Sequence, residues 1–573
     1  MGRWDISKYA NGAETIENFL VAQVGGVFYR PGTRFVAETK TAANRSRLIK
    51  FQYSTTQSYV IEAGNLYFRY YTDSGRLEIA TVPVELVTVF ALANLPKIRY
   101  TQNADTMYIA TGTYKVQKHQ RSTATLFTIA DAAFIRGPFL DTNITSVTIT
   151  PSGDTGAGIT LTASSATFLA GHIGSLWRVK SGVVKITAFT STTLVTGTVQ
   201  AEPDGTAGNL ATGPAAVTDW AEGSWSGVRG YPKVCTFHEG RLYFANTDHQ
   251  PGGVWGSVPF APENFDAGDG DDADAVNVEL GADEVSAVRW LVSTSKGLIA
   301  GTTAGIFPIS SGSQGLAITP DNVGTQLATS EGSADIQAKK IGNYVYYPSN
   351  DLQKLLEAGY QFDVDQIDAE DATLLADHIL NAPVPTDIPA RGDNEVGGAY
   401  DLDSQQSPNK RLWVVRDDGQ IAVLTRNIRQ EVMGWIRITG GETVSCDGKS
   451  GIGVFESIAI LKQEGADDQI WVQCNRLIDG VVTRFIEYFT PERFKYEWDP
   501  VRLDCSLTLD EPIDIDEIFL LGTNVLVIAT AHGLSNGDQV RLDNIVGTHQ
   551  LNGRKFTIKE ASTNYFKLDA EVT

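Results

Sequence analysis

Leu412-Trp413-Val414-Val415, then Asp417-Asp418-Gly419, then Ile421-Ala422-Val423-Leu424 read as two apolar strands around a turn. β-Branched and aromatic residues fill both runs and suit a pleated, buried surface. Asp-Asp-Gly between them has the chemistry of a hairpin turn. The phrase returns along the chain. It occurs at Ser58-Tyr59-Val60-Ile61 with Leu66-Tyr67-Phe68-Arg69, at Met107-Tyr108-Ile109, and at Arg241-Leu242-Tyr243-Phe244. Further copies are Gly297-Leu298-Ile299-Ala300 with Gly305-Ile306-Phe307, Tyr344-Val345-Tyr346-Tyr347, and Ile470-Trp471-Val472 with Phe485-Ile486-Glu487-Tyr488. From residue 241 onward they fall roughly 45 to 70 residues apart, near the length of a propeller blade. The pattern predicts a mainly β chain with a β-propeller-like core. A string of β-sandwiches is the alternative, and the spacing does not count blades.

Two stretches break this rhythm and resemble each other. Ile159-Thr160-Leu161-Thr162 leads through Gly174 to Trp177-Arg178-Val179, Val184-Lys185-Ile186-Thr187 and Thr193-Leu194-Val195. Val525-Leu526-Val527-Ile528 leads through Gly537 to Val540-Arg541-Leu542, Phe556-Thr557-Ile558 and Tyr565-Phe566-Lys567-Leu568. Each is read as a small five- or six-stranded barrel or sandwich. The predicted domains are an N-terminal β region at 1–140, an inserted barrel at 141–218, the propeller-like core at 219–510 and a C-terminal module at 511–573. Helices are few. Residues 371–380 have helical periodicity with Asp371 as N-cap, and Pro383, Pro385 and Pro389 follow. Residues 5–9 and 14–19 are expected to form a short helical element. Pro31-Gly32 reads as a tight reversal between two apolar runs.

The chain has 573 residues, too many for one core. It is 42% hydrophobic and 20% charged, which fits folded domains rather than disorder. Lys and Arg number 46 against 68 Asp and Glu, and no basic run offers a face for DNA phosphates. That argues against a sequence reader. The surplus acidity serves either solubility or a channel wall that DNA slides past. Cys235, Cys446, Cys474 and Cys505 lie far apart, without zinc or thioredoxin spacing, and read as free thiols made in a reducing cytosol. No apolar run follows a basic N-terminus, so no signal peptide is expected, and no stretch of about 18 apolar residues reads as a membrane span.

Motifs for chemistry are weak. Gly448-Lys449-Ser450 would need a glycine at position 443 to be a P-loop, and that residue is Thr443. His238-Glu239 lacks the second histidine of a zincin, since position 242 is Leu242. Asp266, Asp269, Asp271, Asp272 and Asp274 are interleaved with Gly268 and Gly270. Such oxygen donors suit Ca²⁺ or Mg²⁺, but their order is not that of an EF-hand, and a solvated acidic loop is the preferred reading. A second acidic stretch, Asp363, Asp365, Asp368, Glu370 and Asp371, is read as favouring the N-terminus of the expected helix. No catalytic, cofactor-binding or metal residue is assigned, and no enzyme activity is expected.

The opening, from Gly2-Arg3-Trp4-Asp5 and Lys8-Tyr9-Ala10-Asn11-Gly12 through Asn18-Phe19-Leu20 and Gly25-Gly26 to Arg30-Pro31-Gly32-Thr33-Arg34-Phe35-Val36-Ala37-Glu38, closely resembles the tail nozzle proteins of short-tailed bacteriophages, the tail tubular protein B type. The resemblance continues at Arg229-Gly230-Tyr231-Pro232, Phe237-His238-Glu239-Gly240-Arg241, Val254-Trp255-Gly256-Ser257, Val288-Arg289-Trp290-Leu291 and Gln430-Glu431-Val432-Met433-Gly434-Trp435. It covers most of residues 1–490. The C-terminal module, with Ala531-His532-Gly533-Leu534 and Leu551-Asn552-Gly553-Arg554-Lys555-Phe556, resembles a small β-barrel first named in ubiquitin-activating enzymes and brings no ubiquitin chemistry. The nozzle resemblance implies a virion protein made in the host cytoplasm. It implies a ring, usually of six copies, below an adaptor ring and beside tail fibres or spikes. That ring holds the DNA genome and then conducts it to the host envelope, without sequence-specific binding. The competing reading is a receptor-binding or polysaccharide-depolymerising tail protein, which needs paired carboxylates in a cleft.

Overall fold

The hairpin that decides the fold is formed as read. Arg411–Arg416 pairs antiparallel with Ile421–Asn427, and Gly419 takes the turn at φ +84°, where a side chain is disfavoured. All six residues of Arg411–Arg416 are buried. A strand covered on both faces reads as a continuous apolar run rather than an alternation.

The computed structural model describes residues 13, 15–22, 26–54, 57–72, 75–79, 81–281, 285–312, 316–361, 366–380, 398–430, 432–444, 450–478, 480–493, 501–506, 513–521, 524–542, 545, 551 and 554–569. The chain divides into two units, 1–506 and 507–573. Among the described residues, helical structure is limited to 3-10 turns of three residues.

Unit 1 is a β-propeller. Among its described residues, seven antiparallel sheets follow one another: blade 1 at 47–87, blade 2 at 99–131, blade 3 at 234–279, blade 4 at 288–325, blade 5 at 339–371 and blade 6 at 399–438. Blade 7 takes three strands from 454–489 and its outer strand, Thr33–Glu38, from the other end of the chain. First strands of most successive blades touch, so they line the centre. Each seam between neighbours has its own apolar core. Ile49 and Tyr70 of blade 1 pack with Met107 and Phe127 of blade 2; Tyr108 packs with Phe244 and Trp255. Tyr243 meets Leu298 and Phe307, Trp290 meets Tyr347, and Tyr346 meets Leu412 and Leu424. Trp413 packs with Phe455 and Phe489. Trp471 then packs with Val60 and Tyr71 of blade 1 and closes the ring.

A six-stranded sheet is inserted between blades 2 and 3. Its spatial order is Ile149–Pro151, Ala157–Ala163, Leu194–Val199, Gly182–Ser191, Leu176–Val179 and Trp220–Glu222. Trp177, Leu161, Ile186 and Val195 form its core. Unit 2 is a five-stranded sheet running from Glu517–Leu521 to Tyr565–Leu568, around Val525, Val527, Phe556, Ile558 and Phe566.

Three local expectations are corrected. Residues 371–380 form no α-helix. Gln366–Asp371 is the outer strand of blade 5. The Asp371 carboxylate then accepts from the N–H (2.8 Å) and hydroxyl (2.5 Å) of Thr373, closing a turn. Only Asp377–Ile379 coils, as a 3-10 turn. Leu374 and Leu375 are exposed while Ile379 and Leu380 fill the seam between blades 5 and 6, so blade packing rather than a helical face decides burial. Asp368 and Glu370 therefore stand on the exposed side of a strand and face no helix terminus. Near the start, Phe19–Val21 is a strand paired with Val27–Tyr29, not part of a helix; residues 5–9 and Glu14 lie outside the described residues. The reversal lies between those strands, not at Pro31-Gly32. Gly32 is required by close approach instead: a Cβ there would lie 2.2 Å from the Leu503 carbonyl oxygen.

Candidate functional site

The propeller channel gathers one or two charged side chains from the inner edge of most blades. At one mouth lies a cavity of about 500 Å³. Arg45 and Arg47 enter it from blade 1, Arg99 from blade 2 and Arg289 from blade 4. Asp335 precedes the first strand of blade 5, Asp401 lies on that of blade 6 and Glu456 on that of blade 7. Arg47 donates from one nitrogen to the carbonyls of Leu95, Pro96 and Ile98 at 2.7–3.1 Å. Arg99 donates to the carbonyl (2.5 Å) and carboxylate (2.8 Å) of Asp335. The Arg45 guanidinium lies 3.6 Å from the ring centre of Tyr400. Asp401 accepts from the Ser457 hydroxyl at 2.8 Å and from the Ile458 N–H at 3.3 Å.

Further down, Asp403 holds two lysines. Lys50 lies 2.9 Å and Lys339 3.1 Å from its carboxylate, which also accepts from the Ile460 N–H at 2.9 Å. Burial alone would raise the Asp403 carboxyl, but Lys339 and Lys50 outweigh it and hold the group well below the usual range. Burial pushes Lys339 down, and Asp403, with Tyr100 and Asp401, more than reverses this.

The residues singled out from sequence lie elsewhere. Asp266, Asp269, Asp271, Asp272 and Asp274 sit in the loop before the outer strand of blade 3. Asp266 pairs with Arg136 at 2.9 Å. Asp274 accepts from the N–H groups of Gly270 and Asp271, at 3.0 and 2.9 Å. Arg241 ties the loop down through the carbonyls of Asp272 and Asp274. Among the described residues, no three potential ligands converge as a metal site. His238 Nδ1 is 2.8 Å from the Ser293 hydroxyl across the seam to blade 4, and Leu242 is core. Residues 446–449, Asp363 and Asp365 lie outside the described residues. Cys235, Cys474 and Cys505 are free; burial pushes the Cys235 thiol up to about 12, so it is inert.

The sequence reading missed the channel charges. A signal was present: Asp401, Asp403 and Glu456 each sit within strands otherwise buried, where an ionised group survives only beside a partner.

A second charged cluster fastens the inserted sheet. Glu222 accepts two bonds from Arg229, at 2.7 and 2.6 Å, and lies 3.0 Å from His172 Nε2. His172 Nδ1 accepts the Leu169 N–H at 3.1 Å, so Nε2 is the donor toward Glu222. Burial would raise the Glu222 carboxyl; the bonds from Arg229 and His172 prevail and hold it at about 2. The stabilisation is therefore complete above the ordinary carboxyl range and is lost as pH falls toward 2. Glu222→Gln is expected to lower stability by about 2 kcal/mol and to speed proteolysis within 223–231 at neutral pH. Unchanged cleavage rates would refute the role.

No family model matches the chain, and no curated protein does. Among solved structures, the chain is similar to the Neurospora crassa Pan2 WD40 domain at 9% identity, covering 69% of this chain and 89% of that one with a TM-score of 0.28. It is similar to the WD40 repeats of RRP9 at 7% identity, covering 81% and 99% with a TM-score of 0.37. A luciferin-regenerating enzyme is similar at 10% identity, covering 71% and 94% with a TM-score of 0.24. The propeller itself rests on the seven sheets and their seams.

Proposed function

We propose that this chain is the subunit of the tail nozzle of a short-tailed bacteriophage, a ring that retains the DNA genome and then conducts it into the host. The observation that carries this reading is the ordered series of nozzle-like segments from Gly2 to Trp435. Several of those among the described residues lie on blade strands. Thr33–Glu38 is the closing strand of blade 7, Val234–His238 and Arg241–Ala245 are the first hairpin of blade 3, and Val432–Ile438 is the outer strand of blade 6.

The conduit in this reading is the axis of the ring, not the propeller channel. The latter is crossed by Arg99–Asp335 and by the two lysines on Asp403, and its cavity of about 500 Å³ has no room for a duplex. A ring needs one heterologous interface repeated until it closes, and six copies are expected. An adaptor ring above, fibres or spikes beside it and the host envelope below are the implied partners. The chain's surplus of 22 negative charges fits an axial wall that repels phosphate.

The depolymerase reading has less support. A glycosidase acid needs a raised carboxyl pKa, whereas the channel carboxylate Asp403 is held low by lysines. The deciding experiment is electron cryo-microscopy of the purified chain with its adaptor, or of the virion, alongside incubation with host polysaccharide. A homo-hexameric ring with an axial hole and no glycan cleavage is expected. A lone subunit, a trimeric spike or released oligosaccharide would overturn the proposal.

A further inference from the structure

The channel lining runs against the charge of the chain. Basic residues are outnumbered 46 to 68 overall, yet the deeper channel sets Lys50, Lys339 and Lys340 against Asp403, with Asp401 above them. Four carboxylates, Asp335, Asp401, Asp417 and Glu456, share the mouth with the four arginines, and each has a partner of its own. Glu456 accepts from Arg484, which is not part of the cavity wall, at 2.8 and 3.1 Å. Asp401 is held by Ser457 and a backbone N–H. One carboxylate, Asp335, serves two guanidiniums, Arg99 at 2.8 Å and Arg289 at 3.9 Å.

Two donors are left over. Arg99 is only 2% exposed, and its Nε has no hydrogen-bond partner among the described residues; the same holds for Nε of Arg289. A buried N–H without an acceptor is costly; both Nε groups are closed to solvent, whereas the Arg289 side chain is one-third exposed and meets Asp335 only at 3.9 Å, so its terminal nitrogens can serve an oxyanion. Guanidiniums present planar forks that match carboxylate and phosphate oxygens. The intervening wall is apolar, formed by Leu92, Leu95, Pro96, Ile336 and Leu352. It suits a carbon skeleton better than a hydrated inorganic ion, and the cavity has the size of a small-molecule pocket.

We infer that the mouth of the propeller channel binds a small organic oxyanion, carboxylate or phosphate, seated by Arg99 and Arg289 with Arg45 and Arg47 at the rim. The site lies within one subunit and does not depend on how copies assemble. The test is calorimetric titration of the full chain at low ionic strength with citrate and, separately, with glycerol 2-phosphate; the two arms distinguish the carboxylate from the phosphate source. One probe is expected to saturate at one per chain with Kd below about 1 mM. Arg289→Gln is expected to weaken it by at least about tenfold. Should Arg289→Gln fail to fold by circular dichroism, Arg45→Gln carries the same comparison. Arg178→Gln, on the inserted sheet, controls for general loss of positive charge. The inference is overturned if neither probe saturates below about 10 mM. Equal affinity in the wild-type and channel variants, or equal weakening by Arg178→Gln, would overturn it too.

Discussion

Asp403→Asn is expected to destabilise the propeller by about 3–5 kcal/mol. The carboxylate is 3% exposed and is the shared partner of Lys50 and Lys339. The isosteric amide keeps the shape and leaves two ammonium groups facing each other in the channel with only the more distant Asp401 as counter-charge. Removing one partner from a buried charge cluster costs more than the cluster itself is worth, because the stranded charge must stay desolvated. The same logic predicts a partial rescue: adding Lys339→Met to Asp403→Asn removes one stranded charge and recovers part of the loss. Urea unfolding followed by tryptophan fluorescence reports it, since Trp290, Trp413 and Trp471 are buried in blade seams. A loss below about 1 kcal/mol would place Asp403 with ordinary surface pairs. The pH dependence has a definite sign. The folded carboxyl is held below its unfolded value, so its contribution is present above the usual Asp range and is lost in stronger acid.

What was legible in the sequence was local. The hairpin around Asp417-Asp418-Gly419 needed only its own residues, because turn and strands are contiguous. Burial on both faces made its strands stand out as continuous apolar runs. Blade 5's outer strand, Gln366–Asp371, was misread for the opposite reason. Its alternation places only Ile367 fully inside, with Gln366, Asp368 and Glu370 outside, so its apolar signal is faint. The helical periodicity that follows it came from Leu374, Leu375, Ile379 and Leu380, of which the first two are exposed.

The channel was illegible for a geometric reason. Arg99 and Asp335 are 236 positions apart, and Lys50 and Asp403 are 353 apart. No spacing rule on one segment reports a pair assembled by the rotation of blades about a common axis. The acidic loop at 266–274 attracted attention because its residues are adjacent in sequence. In the structure they are tied down by Arg136 and Arg241.

The closing strand gives the largest expected effect. A chain lacking residues 1–38 is expected to lose the cooperative unfolding transition of the propeller. Thr33–Glu38 is the outer strand of blade 7 and pairs with Val481–Phe489 from the far end of the propeller sequence. Its removal bares a strand edge and takes Ala37 from the seam core that joins blade 7 to blade 1. It also strips a buried ion pair of support. Glu487, 0% exposed, accepts from Arg476 at 2.7 and 2.8 Å and from the Thr33 hydroxyl at 2.5 Å. Arg30, which grips Asp504 through two bonds of 2.7 Å, would go as well. In an open chain of blades each seam stabilises its two neighbours; the closing seam serves both ends, so weakening it is felt by the whole ring rather than by one sheet. A synthetic peptide spanning residues 27–40 is expected to restore a cooperative transition when added in trans, because the edge it pairs with remains in place. Circular dichroism during urea titration, with and without the peptide, makes the comparison. A truncated chain that unfolds at the wild-type midpoint would show that blade 7 holds with three strands and that Thr33–Glu38 merely decorates it.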